Sequence, residues 1–126
     1  MVTEKRLETP VTQHEIDGLV VLEPTHDLYE GVECDQMEVA LLTMAERGVR
    51  IVIDLTHVRH LTARCLGILA RAQQLAAWSG GNVALCGATS LQRWLIWKMG
   101  LSDILAIYDD VASASRHVGM SPRAVA

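Results

Sequence analysis

The sequence predicts an α/β domain built on a mixed sheet of about five strands with about four helices, in chain order ββαβαβαβα. Three observations predict it. A dense β-branched run, Ile51-Val52-Ile53, sits mid-chain with the composition of a strand buried on both faces. Apolar residues recur at three-to-four spacing in the segments on either side of it, as on one face of a helix. Turn residues separate these segments: Asp17-Gly18, Gly48, Gly80-Gly81 and Gly100.

The elements follow in order. Val11 to Ile16 reads as a strand, Asp17-Gly18 as a two-residue hairpin turn, and Leu19 to Leu22 as the returning strand, closed by Pro24. Glu30 to Arg47 reads as a helix with Met37, Ala40, Leu41, Met44 and Ala45 on its apolar face, stopped by Gly48. Val49 to Leu55 is the central strand. A loop from Thr56 to Leu61 leads to a second helix from Ala63 to about Trp78, with Thr62 as its N-cap and Cys65, Leu69, Ala72 and Ala76 along one face. Gly80-Gly81 ends that helix and launches the strand Asn82 to Cys86. Thr89 to Lys98 is a third helix with Leu91, Leu95 and Met99 as its core stripe. Ile104 to Tyr108 is a short strand. Asp109 to Val118 is the last helix, its first carboxylates complementing the helix dipole. The 126 residues suit one domain, 1–126, with an ordered core over about 11–118 and flexible ends.

Composition narrows the function. Eleven basic residues against 15 acidic give a net charge of −4, which supplies no electrostatic reason to expect nucleic acid. The apolar runs are too short for membrane insertion and the N-terminus lacks a signal core, so the expected location is cytoplasmic. Cys34, Cys65 and Cys86 are widely spaced, with no Cys-x-x-Cys or His-rich cluster. They read as reduced, buried thiols, with no metal site. Ser79, Ser90 and Ser102 lack a base and an orienting group, and no phosphate loop is present, so neither an enzyme nor a cofactor is expected.

Several local patterns together resemble the STAS domain, the fold of anti-sigma factor antagonists and of sulfate-transporter cytoplasmic domains. They are Ile51-Val52-Ile53-Asp54-Leu55 before a loop, Leu66-Gly67-Ile68-Leu69 opening a helix, Gly80-Gly81 before a strand, and Met99-Gly100-Leu101 ahead of Ile104. Asp27, after Pro24-Thr25-His26, falls where the family often has Gly-Glu-Leu-Asp. The resemblance implies a non-catalytic, protein-binding regulator whose partner is an anti-sigma factor kinase or a related switch protein. Its alternatives are a scaffold subunit of a signalling assembly and an accessory STAS subunit of a membrane transporter complex.

In the antagonists a Ser or Thr at the start of the second helix is phosphorylated by the kinase, and phosphate adds about −2 charges at that interface. The usual Asp-Ser-Ser/Thr-Gly-Leu-Gly is here Thr62-Ala63-Arg64-Cys65-Leu66-Gly67. Arg64 stands at the phosphoacceptor position, which makes the phosphosite degenerate. Its side chain either reaches into solvent or meets an acidic partner. Thr62 is a substitute acceptor only if its hydroxyl is not explained by capping. The implied partner-binding residues are Asp27, His57, Arg59, His60, Thr62, Ala63 and Arg64, with the His57/Arg59/His60 cluster forming either a cationic rim or a solvated loop. Trp94 and Trp97, three apart on the third helix, form a second candidate interface, to a partner or in a homodimer, unless Trp97 folds back under the last helix.

Overall fold

A computed structural model of the chain describes residues 11–16, 19–24 and 32–119. The expected Asp17-Gly18 turn, the Asp27 segment and both chain ends lie outside the described residues. Five strands form one sheet: β1 (Val11–Ile16), β2 (Leu19–Pro24), β3 (Arg50–Asp54), β4 (Asn82–Cys86) and β5 (Ala106–Tyr108). Their spatial order is the order of the chain. β1 and β2 pair antiparallel, Val11 opposite Pro24 and Ile16 opposite Leu19. β2, β3, β4 and β5 run parallel to one another. Among the described residues four helices connect and follow them: α1 (Val32–Glu46), α2 (Ala63–Trp78), α3 (Ser90–Lys98) and α4 (Val111–Gly119). The α/β architecture and element order are those the sequence predicts.

β3 is buried on both faces, and its alternation divides the core. Ile51 and Ile53 point to the larger cluster, where Cys34, Met37, Leu41 and Ala45 of α1 meet Cys65, Leu66, Leu69, Ala72 and Ala76 of α2, with Ile96 of α3. Val52 points the other way, to Leu19, Val21, Ala84 and Cys86 beneath Ala114 and Val118 of α4. Three helices therefore cover one face and α4 covers the other. The buried faces of α1 and α2 match the predicted stripes except at Ala40, which is exposed.

α3 differs from expectation. Leu91, placed in the core stripe by periodicity, is 70% exposed, and Met99 lies at the surface. Gln92 and Ile96 are buried instead, with Leu95 half-buried beside them. The cause is a polar residue in a buried role. Gln92 closes a reciprocal cap with Thr89, accepting Thr89 N–H at 2.9 Å while its own N–H donates to Thr89 Oγ1 at 3.1 Å. Its Nε2 donates to the Val58 carbonyl at 2.7 Å. Turning Gln92 inward turns Leu91 outward, since one residue is 100° on a helix.

Candidate functional site

The loop between β3 and α2 leaves the carboxyl end of the parallel sheet, where α/β folds present their functional groups. Asp54 ends β3 and anchors the loop. Its Oδ1 accepts from Thr56 N–H at 3.0 Å and from Thr56 Oγ1 at 2.5 Å. Gly87, at the end of β4, faces this turn at φ +72, and a Cβ there would lie 2.5 Å from Thr56 Oγ1. The site therefore needs glycine on both steric and backbone grounds. Leu55 N–H donates to the Cys86 carbonyl at 2.8 Å, and Val58 is buried, tied to α3 by Gln92. Between these fixed points His57, Arg59 and His60 lie at the surface. His57 Nε2 is 3.5 Å from Glu23 Oε2 on β2, an ion pair whenever the imidazole is protonated.

α2 starts as expected. Thr62 is its N-cap, with extended φ −81 and ψ 160, and its Oγ1 accepts from Cys65 N–H at 3.2 Å. Ala63 and Arg64 follow, both exposed. Arg64 does not extend into solvent. Its guanidinium donates to Asp35 Oδ1 at 2.6 Å and to Glu38 Oε1 at 3.2 Å, both on α1. The second oxygen of Glu38 accepts from Arg71, about two helical turns beyond Arg64 on α2, at 2.6 Å. The hydrogen bond to Asp35 is the main reason the Arg64 guanidinium is held still more firmly protonated. The acidic group that Arg64 meets is thus within the chain. The rim around the turn mixes both signs of charge rather than being uniformly cationic.

Beneath the Arg64–Asp35 pair lie two thiols, Cys34 and Cys65, with their Sγ atoms 2.8 Å apart and both side chains buried. Burial, and next the contact with Cys65, pushes the Cys34 thiol up to about 12. Cys86 is buried on the opposite face of the sheet, and burial followed by the charge of Asp54 pushes it up to about 12 as well. No disulfide joins any of the three. Among the described residues no group of three or more His, Cys, Asp or Glu side chains could hold a metal ion, and no helix is long and apolar enough to cross a membrane.

The fold brings His57, Arg59, His60, Thr62, Ala63 and Arg64 together at one end of the sheet. Trp94 and Trp97 stand apart on α3, 52% and 65% exposed, so Trp97 does not fold back under α4. Lys98 Nζ lies 6.0 Å from the Trp94 ring centroid. Sequence reasoning missed Asp35, Glu38 and Gln92. The Thr89-x-x-Gln92 spacing signals the cap, whereas nothing in a period signals that Asp35 faces a residue 29 positions away.

A sheet with one antiparallel edge strand, three helices on one face and a capped helix start beside the central strand defines a STAS-type domain. The family model described as "Mlab, STAS domain" matches residues 31–107, and the chain belongs to this STAS family. No curated protein sequence matches the chain. Among solved structures, an anti-sigma factor antagonist from Mycobacterium paratuberculosis is similar at a TM-score of 0.75 and 21% identity, over 86% of this chain and 92% of that one. The anti-sigma factor antagonist SpoIIAA in its unphosphorylated form is similar at a TM-score of 0.67 and 13% identity, over 85% of this chain and 94% of that one. The murine anion transporter Solute Carrier 26 family member A9 is similar at 0.62 and 13% identity, over 84% of this chain and 18% of the transporter.

Proposed function

We propose that this chain is a non-catalytic, cytoplasmic protein-binding regulator that docks a partner through the β3–α2 turn without phosphate control there. The observation that carries the reading is Arg64. It occupies the position at which the antagonists of this fold carry a phosphoacceptor hydroxyl, and it is fastened to Asp35 and Glu38 on α1. A side chain so held presents a fixed surface rather than a switchable one. Thr62, the nearest hydroxyl, is occupied as the helix cap. The partner of this reading is an anti-sigma factor kinase or a related switch protein, recognising His57, Arg59, His60, Ala63 and the Arg64 edge.

A second reading, an accessory subunit of a transport complex, is favoured by the likeness to a domain within a murine anion transporter. Affinity capture from the native cell with the full chain as bait distinguishes the two by the partner recovered. The absence of phosphate control is tested by incubation with ATP and the captured kinase, read by intact mass. The expected spectrum lacks a phosphoryl adduct, while Arg64→Ser restores an acceptor at the turn. A phosphoryl group on Thr62 of the unaltered chain would sink the reading.

A further inference from the structure

Cys34 and Cys65 are each the third residue of a helix, so the starts of α1 and α2 face one another across this pair. The arrangement is held from outside by the ion pair of their immediate chain neighbours, Asp35 and Arg64. Both thiols sit in the same core cluster, and Cys86 sits in the cluster on the other side of the sheet, where it does not compete. A disulfide needs the two sulfurs to close from 2.8 Å to about 2.05 Å. That is a movement of about 0.8 Å, within the play of two side chains on adjoining helices.

We propose that Cys34 and Cys65 form a redox site that closes to a disulfide, taking a hydroperoxide or a small-molecule disulfide as its oxidant. With hydrogen peroxide, one thiolate attacks the O–O bond and becomes a sulfenic acid as water leaves. The second sulfur then attacks the sulfenic sulfur and releases the other water. Each cysteine loses one electron, and the two thiol protons end in water. With glutathione disulfide, two successive exchanges release two molecules of glutathione. Complete burial makes the closed form slow to react, because the thiolate is the nucleophile and Cys34 holds its proton firmly. Access requires the first turn of α1 to open, which parts the Asp35–Arg64 pair and lifts Cys34 from the core.

The bond would staple two helix starts beneath the turn that carries Thr62 and Arg64. This consequence for docking rests on the proposed function. The bond itself does not, and it is read on the free chain without any partner.

The test treats the full chain with hydrogen peroxide, and separately with glutathione disulfide, then denatures and alkylates it. The expected result is a mass lower by two hydrogens and a fall from three alkylated cysteines to one. Proteolysis without reductant should then yield a peptide pair joining Cys34 to Cys65, with Cys86 alkylated. Dithiothreitol restores three alkylations, and Cys34→Ser and Cys65→Ser each abolish the cross-link. The oxidised chain should also melt higher by on the order of 10 °C, since the bond closes a long loop. Three alkylated cysteines after oxidant, a bond to Cys86, or a cross-link formed only after denaturation would each overturn the proposal.

Discussion

Gln92 is a buried polar side chain that satisfies three partners at once: Thr89 N–H, the Val58 carbonyl and, at 3.4 Å, the Arg59 carbonyl. It holds the candidate docking loop to α3. Gln92→Ala leaves the Thr89 cap in place, removes the return half of the capping box and strips the Val58 carbonyl of this donor, and should cost about 1–3 kcal/mol in urea unfolding. Gln92→Glu keeps the oxygen that accepts from Thr89 but sets a buried carboxylate oxygen against the Val58 carbonyl, so it should cost more than the loss of that one hydrogen bond. Stability equal to the unaltered protein in both variants would remove Gln92 as the tie. Cys86 offers a pH test. Its thiol goes from an ordinary 9.0 to about 12 in the folded chain. A raised folded value means its contribution is present below pH 9 and is lost as pH rises toward 12, because the unfolded chain releases that proton first. Cys86→Ala should therefore flatten the alkaline fall of stability by one proton's worth of slope. An unchanged slope would place the cause elsewhere.

At the scale of elements, α1 and α2 are joined inside by apolar packing and outside by the Arg64, Asp35, Glu38 and Arg71 cluster. Surface pairs add little to stability as a rule, so the cluster is better understood as setting the charge pattern of the proposed docking face. Arg64→Glu would place a third carboxylate beside Asp35 and Glu38. The variant should melt below the unaltered protein at low ionic strength, with the gap narrowing as salt is added. A gap that ignores salt would mean that the charges do not touch in solution. These elements also mark what a sequence can disclose. α2 and β4 fall at the residues read from the chain, because Thr62 and Gly80-Gly81 are local signals that need no tertiary context. β5 starts two residues later than Ile104 and the buried face of α3 is turned. Both depend on neighbours distant in sequence, as the reach of Gln92 to a carbonyl 34 residues away shows. The partner of Arg64 is hidden for the same reason: the turn is legible as a capped helix start, while the acids opposite it lie on another helix.

For the whole molecule, the distribution of aromatic residues makes an unusual core and an optical handle. The chain has no Phe, and its three tryptophans are all exposed: Trp78 at 90%, Trp94 at 52% and Trp97 at 65%. The interior is filled by Leu, Ile, Val, Ala, Met and Cys instead. Large exposed aromatics contribute little to folding and much to association. Replacing Trp94 and Trp97 by Ser should then change unfolding stability by no more than about 0.5 kcal/mol per site, as for other surface positions. The free chain should emit at a wavelength already close to that of its urea-unfolded state, and acrylamide should quench it readily while circular dichroism still reports a folded protein. A second copy or a partner seated on the Leu91, Trp94 and Trp97 face would shift that emission to the blue with rising concentration, and the shift would vanish in the double Ser variant. A partner seated only on the β3–α2 turn would leave it unmoved, which separates the two surfaces in a single titration. Strongly blue emission from the dilute, monomeric chain would instead place these rings inside the protein and remove α3 as an interface.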